Sequence, residues 1–128
     1  GPCESYIDKH LASRFGKFTA KVEDMYVDYI NPQEHGSHFG VQSLTLASQG
    51  LGQLTVTSGT PFSINASRYT QGELQEKAHN FELEKSDTTV LCLDYKISGV
   101  GSNACGPALM EKYQLKEAEI DFKLRMEF

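Results

Sequence analysis

The sequence predicts a mostly all-β fold, an antiparallel sandwich with one short helix, and three observations support this prediction. Residues 90–97 and 119–128 alternate apolar and polar side chains with a period of two, the pattern of strands with two different faces. A capping signature at Thr70 indicates one helix. Short strand-like segments are separated by turns along the chain, an arrangement typical of antiparallel sheets.

Three strands are predicted before the helix. Residues 22–30, "VEDMYVDYI", alternate in the manner of a strand. Residues 51–58 and 62–69 form two shorter strand predictions, and in the second of these Phe62 and Ile64 point to one side.

The helix is predicted to begin after Thr70. Glu73 follows Thr70 at the spacing of a capping box, in which each side chain accepts a hydrogen bond from the backbone N–H of the other residue. Leu74, Ala78 and Phe81 then recur near the spacing of one helix face, which predicts two or three turns.

The two strongest strand predictions follow the helix. Residues 90–97 place apolar side chains on both faces, as expected for a central strand that is covered on two sides until its end. Residues 98–109 contain three glycines and a proline, so a long loop is predicted there. In residues 119–128 the apolar side chains fall on one face, which the last strand is expected to bury.

Composition limits the class of protein and of partner. The chain has 128 residues, enough for a single domain over residues 1–128, and 39% of them are hydrophobic and 23% charged. No apolar segment approaches the roughly 18 residues of a membrane span. The net charge of -5 is spread along the chain, which argues against nucleic-acid binding and favours neutral or polar ligands. The three cysteines form no CxxC pair, so free thiols are expected and the cellular compartment stays open.

The segment "NPQEHGSHFG", residues 31–40, contains three side chains that could form a site: Glu34, His35 and His38. These are residue types found in zinc sites, but a turn beside Pro32 provides no regular element to hold convergent ligands. Three interpretations stay open at this point: a metal site, a solvated polar turn and a ligand-facing loop. The last two are favoured over the first.

Cys105, in the loop of residues 98–109, has no base nearby in sequence that would generate a thiolate, so a packed thiol is favoured over a nucleophile. Carboxylates are numerous, and two of them could hydrolyse a glycoside if they faced each other across a cleft, but sequence spacing does not show this. From the residues alone, the expectation is a β-sandwich with two glycine-rich loops that acts as a binding module.

Four motifs, in order along the chain, resemble one enzyme family. "GPCESYIDKH" at Gly1 resembles GPxExYxDR, and "PQEHGSHFG" resembles PQENGxRxG. "FSINASRYTQGELQEKAHNFEL" is similar to FxxSRYSxxxLxxxxHxxxL, and "GVGSNACGP" is similar to a loop that begins G-[IV]-G. All four occur in the carboxy-terminal domain of β-galactosidases of glycoside hydrolase family 2. The resemblance runs from Gly1 nearly to Phe128.

The resemblance implies a fold, an activity and a division of labour. In that family this region is most of a large antiparallel supersandwich, similar to galactose mutarotases, beside a TIM barrel that holds two catalytic Glu residues and usually a magnesium ion. The chain is therefore expected to hold no catalytic residue, no metal and no cofactor, and to be inactive when isolated. Its expected partners are a galactoside or oligosaccharide substrate, the remaining domains of a retaining β-galactosidase and, because members are often oligomers, further copies.

The resemblance also implies which residues serve the substrate. Allowing one deletion, Cys105 takes the position of a Trp that several members use as a platform for the aglycone sugar, and a thiol offers no face for stacking. Asn103 is expected to hydrogen-bond a hydroxyl group. Glu34, His35 and His38 are similar to the turn that contains ENG in the family, and they are expected to line or buttress the site through hydrogen bonds without a metal.

Arg68 belongs to the pair that matches the SRY of the family, and it is expected to anchor an internal ion pair rather than to bind a sugar. Two alternatives from other classes stay open. One is a stand-alone carbohydrate-binding or mutarotase-like module, and the other is a scaffold that serves only assembly.

Overall fold

The computed structural model describes residues 1–101 and 106–128, and its regular structure is mainly antiparallel sheet. The four strands of these residues are β1 (His38–Ser48), β2 (Gly52–Ser67), β3 (Val90–Asp94) and β4 (Leu124–Glu127). Among the same residues, the α-helix α1 spans Gln71–Glu76, and short 3-10 helices span Val22–Met25, Asn80–Glu82 and Glu111–Tyr113. The predicted mostly all-β fold with a short helix is confirmed. Within the described ranges, no helix is long and apolar enough to cross a membrane.

Strand β2 lies at the centre of the sheet. β1 pairs with it along one edge, and β3 and β4 share the other edge, all antiparallel. β3 pairs with residues 63–67 of β2, whereas β4 pairs with residues 55–58. The sheet therefore joins parts of the chain that are far apart in sequence, and β2 takes part in every strand pair of the described residues.

A tight hairpin joins β1 to β2. Ser48 pairs with Gly52, and Gly50 and Gly52 have φ angles of 81° and 89°, in the left-handed region that favours glycine. The pairing is regular from Ser43 to the hairpin but shifts on either side of Val41. Such bulges bend a strand, so β1 is irregular at its start.

The apolar core lies on one face of β2. Val56, Phe62 and Ile64 are 0%, 1% and 7% exposed. Partly buried apolar side chains pack around them: Val41, Leu44, Leu54, Leu93, Phe122 and Leu124. Because each Å² of buried apolar surface contributes roughly 25 cal/mol, burial of this cluster stabilises the packing of the strands.

The opposite face of β2 carries small polar side chains that are nevertheless buried. Ser63 and Asn65 are 3% and 9% exposed, and Asn65 Nδ2 donates a hydrogen bond to the carbonyl oxygen of His35. An added Cβ at Gly36 would lie 3.5 Å from a carbonyl oxygen of the 3-10 helix Val22–Met25. The turn of residues 34–37 therefore lies between this 3-10 helix and the polar face of β2.

The predicted strand over residues 22–30 is wrong. Val22–Met25 forms a 3-10 helix, and the following residues belong to no strand. Tyr26 and Tyr29 instead donate hydrogen bonds at 2.7 and 2.9 Å from their hydroxyl groups to side chains of distant segments. The tyrosines of this segment therefore bond to distant parts of the chain, although the segment forms no strand.

The structure contains one strand that the sequence pattern does not predict, β1. Its bulges interrupt the period of two, since Val41 and Leu44 pack against the same core although they are three residues apart. The two strands predicted over residues 51–58 and 62–69 are one continuous strand, β2. The last two strands are found but are shorter than predicted.

The helix begins as predicted and ends early. Thr70 Oγ1 accepts a hydrogen bond from the N–H of Glu73 at 3.1 Å, so Thr70 is the N-cap. The Glu73 carboxylate accepts from the N–H of Glu84 at 2.8 Å. The backbone becomes extended at Lys77, so Phe81, which was expected on the helix, lies outside it and is exposed.

The described residues form one sheet rather than two packed sheets. The supersandwich and the single domain over residues 1–128 therefore stay predictions. The loop predicted at residues 98–109 contains no strand or helix in its described parts, residues 98–101 and 106–109.

Candidate functional site

The carboxylate of Glu4 joins separate parts of the chain. Its Oε1 accepts hydrogen bonds from Lys9 Nζ at 2.7 Å and from the Tyr29 hydroxyl group at 2.9 Å. Its Oε2 accepts from the backbone N–H of Gly36 at 2.9 Å and from the Tyr6 hydroxyl group at 3.4 Å. The Glu4 side chain is only 13% exposed. These donors therefore replace the water that the buried carboxylate has lost.

Hydrogen bonding decides the protonation state of Glu4. Burial alone would raise the pKa of its carboxyl group, but the hydrogen bonds from Lys9, from the Gly36 N–H and from Tyr29 outweigh burial and lower the pKa to about 2. Glu4 is therefore a fixed negative charge that holds the turn of residues 34–37.

Ser5 adds two further bonds to the same region. Its backbone N–H donates to the carbonyl oxygen of Ser37 at 2.7 Å, and its Oγ accepts from the N–H of Phe39 at 3.0 Å. The amino-terminal segment is thus bound along the length of the turn and not at one point only.

Asp8 holds the start of the loop of residues 98–109, here called the glycine-rich loop, in a similar way. Its Oδ1 accepts from the N–H of Val100 at 2.9 Å, and its Oδ2 accepts from the N–H of Gly101 at 2.8 Å. An added Cβ at Gly99 would lie 2.6 and 2.8 Å from these two oxygens, so the carboxylate requires a glycine there. The loop is therefore fixed by two hydrogen bonds to a charged group.

A tight turn places the two carboxylates on one short segment. Tyr6 and Lys9 exchange backbone hydrogen bonds of 3.0 Å each. Glu4 and Asp8 are four residues apart, so their Cα atoms are separated by at most about 14 Å even in an extended chain. The turn of residues 34–37 and the glycine-rich loop are thus attached to the same few residues.

His35, one of the predicted site residues, is buried at 8% exposed and uses both ring nitrogens within the chain. Nε2 lies 2.9 Å from the backbone nitrogen of Val27, and Nδ1 lies 2.8 Å from the carbonyl oxygen of Gln33. A backbone N–H only donates, so Nε2 accepts and Nδ1 carries the proton. The neutral ring supports the turn from inside, and a ligand would reach its nitrogens only by displacing these bonds.

The other two predicted residues of this turn differ in exposure. Glu34 is exposed. It lies close enough to Asp94 of β3 that, after burial, its charge is the second cause that raises the pKa of Asp94. His38, the first residue of β1, is half-buried, and burial lowers the pKa of its ring. His38 is therefore neutral at pH 7.

Asn103 and Cys105 lie outside the described residues, so their roles stay predictions. The described residues on the two sides of them are close together, since an added Cβ at Gly101 would lie 3.3 Å from the Cβ of Leu109. Asp8 therefore bonds the loop at the residue that lies beside Leu109, Gly101.

Arg68 holds a backbone carbonyl group, and the ion pair predicted for it is partly exposed. Its Nε and Nη2 donate to the carbonyl oxygen of Ser86 at 3.0 and 2.5 Å, and its Nη1 lies 3.8 Å from Oε1 of Glu23. A groove of about 260 Å³ lies beside it. Charged, aromatic and amide side chains line this groove: Glu23, Tyr26, Asp28, Tyr69, Asn80 and Lys85. Charges of both signs favour a neutral polar ligand over an ion.

The described residues were compared with the requirements of a metal site and of a reactive thiol. Across residues 1–101 and 106–128, no group of three or more His, Cys, Asp or Glu side chains is arranged to hold a metal ion. Cys3 is an exposed free thiol. Burial, followed by the charges of Asp94 and Glu34, raises the pKa of the free thiol of Cys92, which disfavours the reactive thiolate.

Glu4 and Asp8 are not among the site residues expected from the sequence, although they organise both loops. The signal that could have found them is the first motif, since Glu4 and Asp8 occupy the two acidic positions of GPxExYxDR. Carboxylates are the side chains best suited to hold several backbone N–H groups at once.

Comparisons with known proteins agree over the whole chain. Residues 1–126 match the family described as beta galactosidase small chain. A beta-galactosidase of Actinobacillus pleuropneumoniae is 46% identical over 127 residues, which cover 99% of this chain and 12% of that protein. A beta-galactosidase of Staphylococcus xylosus is 40% identical over 128 residues, 100% of this chain and 13% of that protein. A beta-galactosidase of Kluyveromyces lactis is 37% identical over 130 residues, 100% of this chain and 12% of that protein.

The chain thus spans only 12% to 13% of the length of these curated relatives. The matched residues include Glu4, Asp8, the turn of residues 34–37 and the glycine-rich loop. On this match, the chain belongs to the beta-galactosidase small chain family.

Proposed function

We propose that this chain is part of a retaining β-galactosidase and shapes the substrate side of its active site. One observation carries the proposal: Glu4 holds Gly36, and Asp8 holds Val100 and Gly101, so two glycine-bearing loops are fixed to one short segment. Loops held in this way are pre-organised to present side chains to a substrate. Family membership supplies the reaction class, the hydrolysis of terminal β-D-galactosides.

In this proposal the reaction itself takes place elsewhere in the parent enzyme. A retaining glycosidase uses two carboxyl groups about 5 to 5.5 Å apart, one as the nucleophile and one as the acid and base. This pair, together with the magnesium ion that the family resemblance implies, is proposed to lie outside the chain in a TIM barrel. We therefore expect the purified chain to release no nitrophenol from a nitrophenyl galactoside, and measurable turnover would contradict the division of labour.

The chain's own contribution is proposed to come from the two loops. The family resemblance supports a role at the aglycone for Asn103 and Cys105, and Glu34 and His38 are proposed to offer hydrogen bonds from the side of the turn. His35 positions this turn through its bonds inside the chain. Since a thiol offers no aromatic face, stacking on an aglycone sugar is expected to be weak.

The experiment is Asp8→Asn in the parent enzyme, with Asp121→Asn as the matched control. The neutral amide keeps one acceptor oxygen, so either Val100 or Gly101 loses its hydrogen bond and the other keeps only an uncharged acceptor, at a cost of about 1.5–3 kcal/mol. We expect kcat/KM for lactose to fall about tenfold. Asp121 is exposed and pairs with the exposed Lys123, so Asp121→Asn should leave kcat/KM within about twofold of wild type.

A second substrate distinguishes a role at the aglycone from a loss of folded enzyme. A smaller pool of folded protein would lower kcat/KM equally for lactose and for a nitrophenyl galactoside. A loop that faces the aglycone changes the ratio of the two values, because the aglycones differ. An unchanged ratio, or wild-type values for both substrates, would contradict the proposal.

A stand-alone carbohydrate-binding module is the second candidate, and the groove beside Arg68 is the observation in its favour. Its volume of about 260 Å³ and its two tyrosines, Tyr26 and Tyr69, suit a sugar ring. Calorimetric titration of the chain with galactose or lactose separates the two candidates. Binding that is millimolar or weaker agrees with a half-site of a larger enzyme, whereas tight binding would favour the module.

A further inference from the structure

The groove beside Arg68 is built from three segments that are separated in the sequence. The 3-10 helix Val22–Met25 and the residues after it form one wall, and the residues that follow β2 form the second. The segment around the 3-10 helix Asn80–Glu82 forms the third. None of the described lining residues belongs to the turn of residues 34–37 or to the glycine-rich loop. The groove therefore has no part in the role proposed for the two loops.

Hydrogen bonds between the walls fix the shape of the groove. Arg68 Nε donates to the carbonyl oxygen of Ser86 at 3.0 Å, and the N–H of Ser86 donates back to the carbonyl oxygen of Arg68 at 2.7 Å. The hydroxyl group of Tyr26 donates to Asn80 Oδ1 at 2.7 Å and so connects the first wall to the third. A ligand that enters the groove does not have to order these segments, which lowers the free-energy cost of binding.

Two half-buried tyrosines give the groove an aromatic surface. The ring centroids of Tyr26 and Tyr69 are 4.9 Å apart, and their planes are inclined by 58°. The edge contact between Tyr26 and His35, with centroids 4.7 Å apart, holds the Tyr26 ring in place. A sugar ring has apolar C–H groups on its faces and hydroxyl groups around its edge, so it packs on aromatic side chains while it bonds to polar ones. The tyrosines therefore offer a surface for one face of a sugar ring.

Arg68 and Glu23 place a donor and an acceptor beside this surface. Arg68 Nη1 and Glu23 Oε1 are 3.8 Å apart, which is longer than a hydrogen bond. An oxygen atom between them would lie within about 2.9 Å of both. A hydroxyl group accepts from the guanidinium and donates to the carboxylate through that one atom, whereas an ionised carboxylate only accepts and an ammonium group only donates. The pair is therefore suited to a hydroxyl group.

The charge and the volume of the groove limit its ligand further. Among the described residues that line it, two side chains are negative and two are positive: Glu23, Asp28, Arg68 and Lys85. These charges balance, which favours a neutral ligand over an ion. The volume of about 260 Å³ is below the roughly 300–1,000 Å³ of sites for drug-sized ligands. A ligand of one sugar ring therefore fits better than a longer oligosaccharide.

We propose that the groove beside Arg68 binds one neutral sugar unit in the parent enzyme, with the sugar ring against Tyr26 and Tyr69 and a hydroxyl group between Arg68 and Glu23. Galactose, the sugar that a β-galactosidase releases, is the probe of choice. The Glu23 side chain is 55% exposed, so part of the bound sugar stays in water and a millimolar Kd is expected. The proposal needs neither a stand-alone module nor the role of the two loops.

The first test measures hydrogen exchange of the Ser86 amide in the wild-type parent enzyme, with and without galactose. This amide bonds to Arg68 across the groove, so it exchanges when the walls separate. A sugar that binds only the closed groove should slow its exchange about tenfold at ten times Kd. Unchanged exchange of Ser86 at about 100 mM galactose, well above a millimolar Kd, would overturn the proposal.

The second test compares Glu23→Ala with Asp24→Ala. Both substitutions remove an exposed carboxylate from the same 3-10 helix, but only Glu23 lines the groove. The galactose concentration that halves the exchange rate of Ser86 should rise at least about fivefold in Glu23→Ala, because the sugar hydroxyl loses a charged acceptor. In Asp24→Ala it should stay within about twofold of wild type.

This comparison also separates binding from general stabilisation. Sugars stabilise folded proteins because they are excluded from the protein surface, and this effect would be the same in wild type and in both variants. An equal response of all three proteins to galactose would therefore overturn the proposal. The readout at Ser86 is independent of the two loops, so its failure and the failure of the Asp8→Asn experiment are separate results.

Discussion

Glu4 accepts hydrogen bonds from Tyr29, from Gly36 and from Lys9, which belong to three different parts of the chain. Removing the carboxylate would leave the Tyr29 hydroxyl group and the Gly36 N–H without this acceptor in a poorly hydrated place. The cost is about 1–3 kcal/mol for each buried group. A single side chain thus connects the amino-terminal segment to the turn of residues 34–37. The stability of that connection is expected to depend on the charge of Glu4.

The first prediction concerns pH. The pKa of Glu4 falls from 4.5 to about 2 on folding. The unfolded chain therefore binds more protons between these two values, and stability declines as the pH falls through this window. Above about pH 5.5 the contribution is nearly complete, at about 3 kcal/mol. Hydrogen exchange of the Gly36 amide in the parent enzyme, corrected for the intrinsic rate, should accelerate between about pH 5.5 and about pH 3.5.

The control for this prediction is Glu4→Gln, which has no charge to lose. Its Gly36 amide should exchange faster than that of wild type at neutral pH and should show a weaker acceleration on acidification. If the variant kept the full acid dependence of the wild type, Glu4 would not be the group responsible.

For His35, the sequence predicts a residue type suited to a site but not its hydrogen-bond partners. The choice between a metal site, a polar turn and a ligand-facing loop depends on those partners, which are far from obvious in the sequence. The bonds to Val27 and Gln33 occupy both ring nitrogens. Nothing in the spacing of residues along the chain predicts the bond to Val27.

At the scale of elements, the strands with a strict period of two were predictable in position but not in length. β3 and β4 share one edge of β2, so each pairs with only part of it: residues 63–67 and 55–58, respectively. The ends of β3 and β4 are therefore set by the part of β2 with which each strand pairs, and not by the length of the alternating pattern in its own sequence. β1 was not predictable, because the bulges beside Val41 change the face on which its apolar side chains fall.

The second prediction tests the contact between the amino-terminal segment and the glycine-rich loop. In Gly99→Ala, the new methyl group would displace the Asp8 carboxylate and break its bonds to Val100 and Gly101. We expect kcat/KM for lactose in the parent enzyme to fall about tenfold, the factor expected for Asp8→Asn. Gly59→Ala is the matched control, since an added Cβ at Gly59 meets nothing within 4 Å.

The third prediction combines the two changes. Asp8→Asn and Gly99→Ala remove the same hydrogen bonds, so their effects are expected not to add. The double variant should have a kcat/KM close to that of the more impaired single variant. A loss equal to the product of the two single losses would show that Gly99 and Asp8 act independently.

At the scale of the whole molecule, the chain is a small part of the length of its relatives. Its described residues form one four-stranded sheet. Composition and charge excluded classes of partner but indicated no reaction. The family was recognisable because four motifs occur in one order along the chain, whereas the catalytic carboxylates, proposed to lie elsewhere, leave no trace in these residues.

The glycine-rich loop and the turn of residues 34–37 are proposed to serve the active site of the parent β-galactosidase. This role can be tested by hydrogen exchange of the parent enzyme, with and without a saturating non-hydrolysable thiogalactoside. We expect slower exchange in residues 98–109 and 34–38 when the ligand binds, and unchanged exchange in the β1–β2 hairpin around residues 49–51. Unchanged exchange in both loops at saturation would rule this role out.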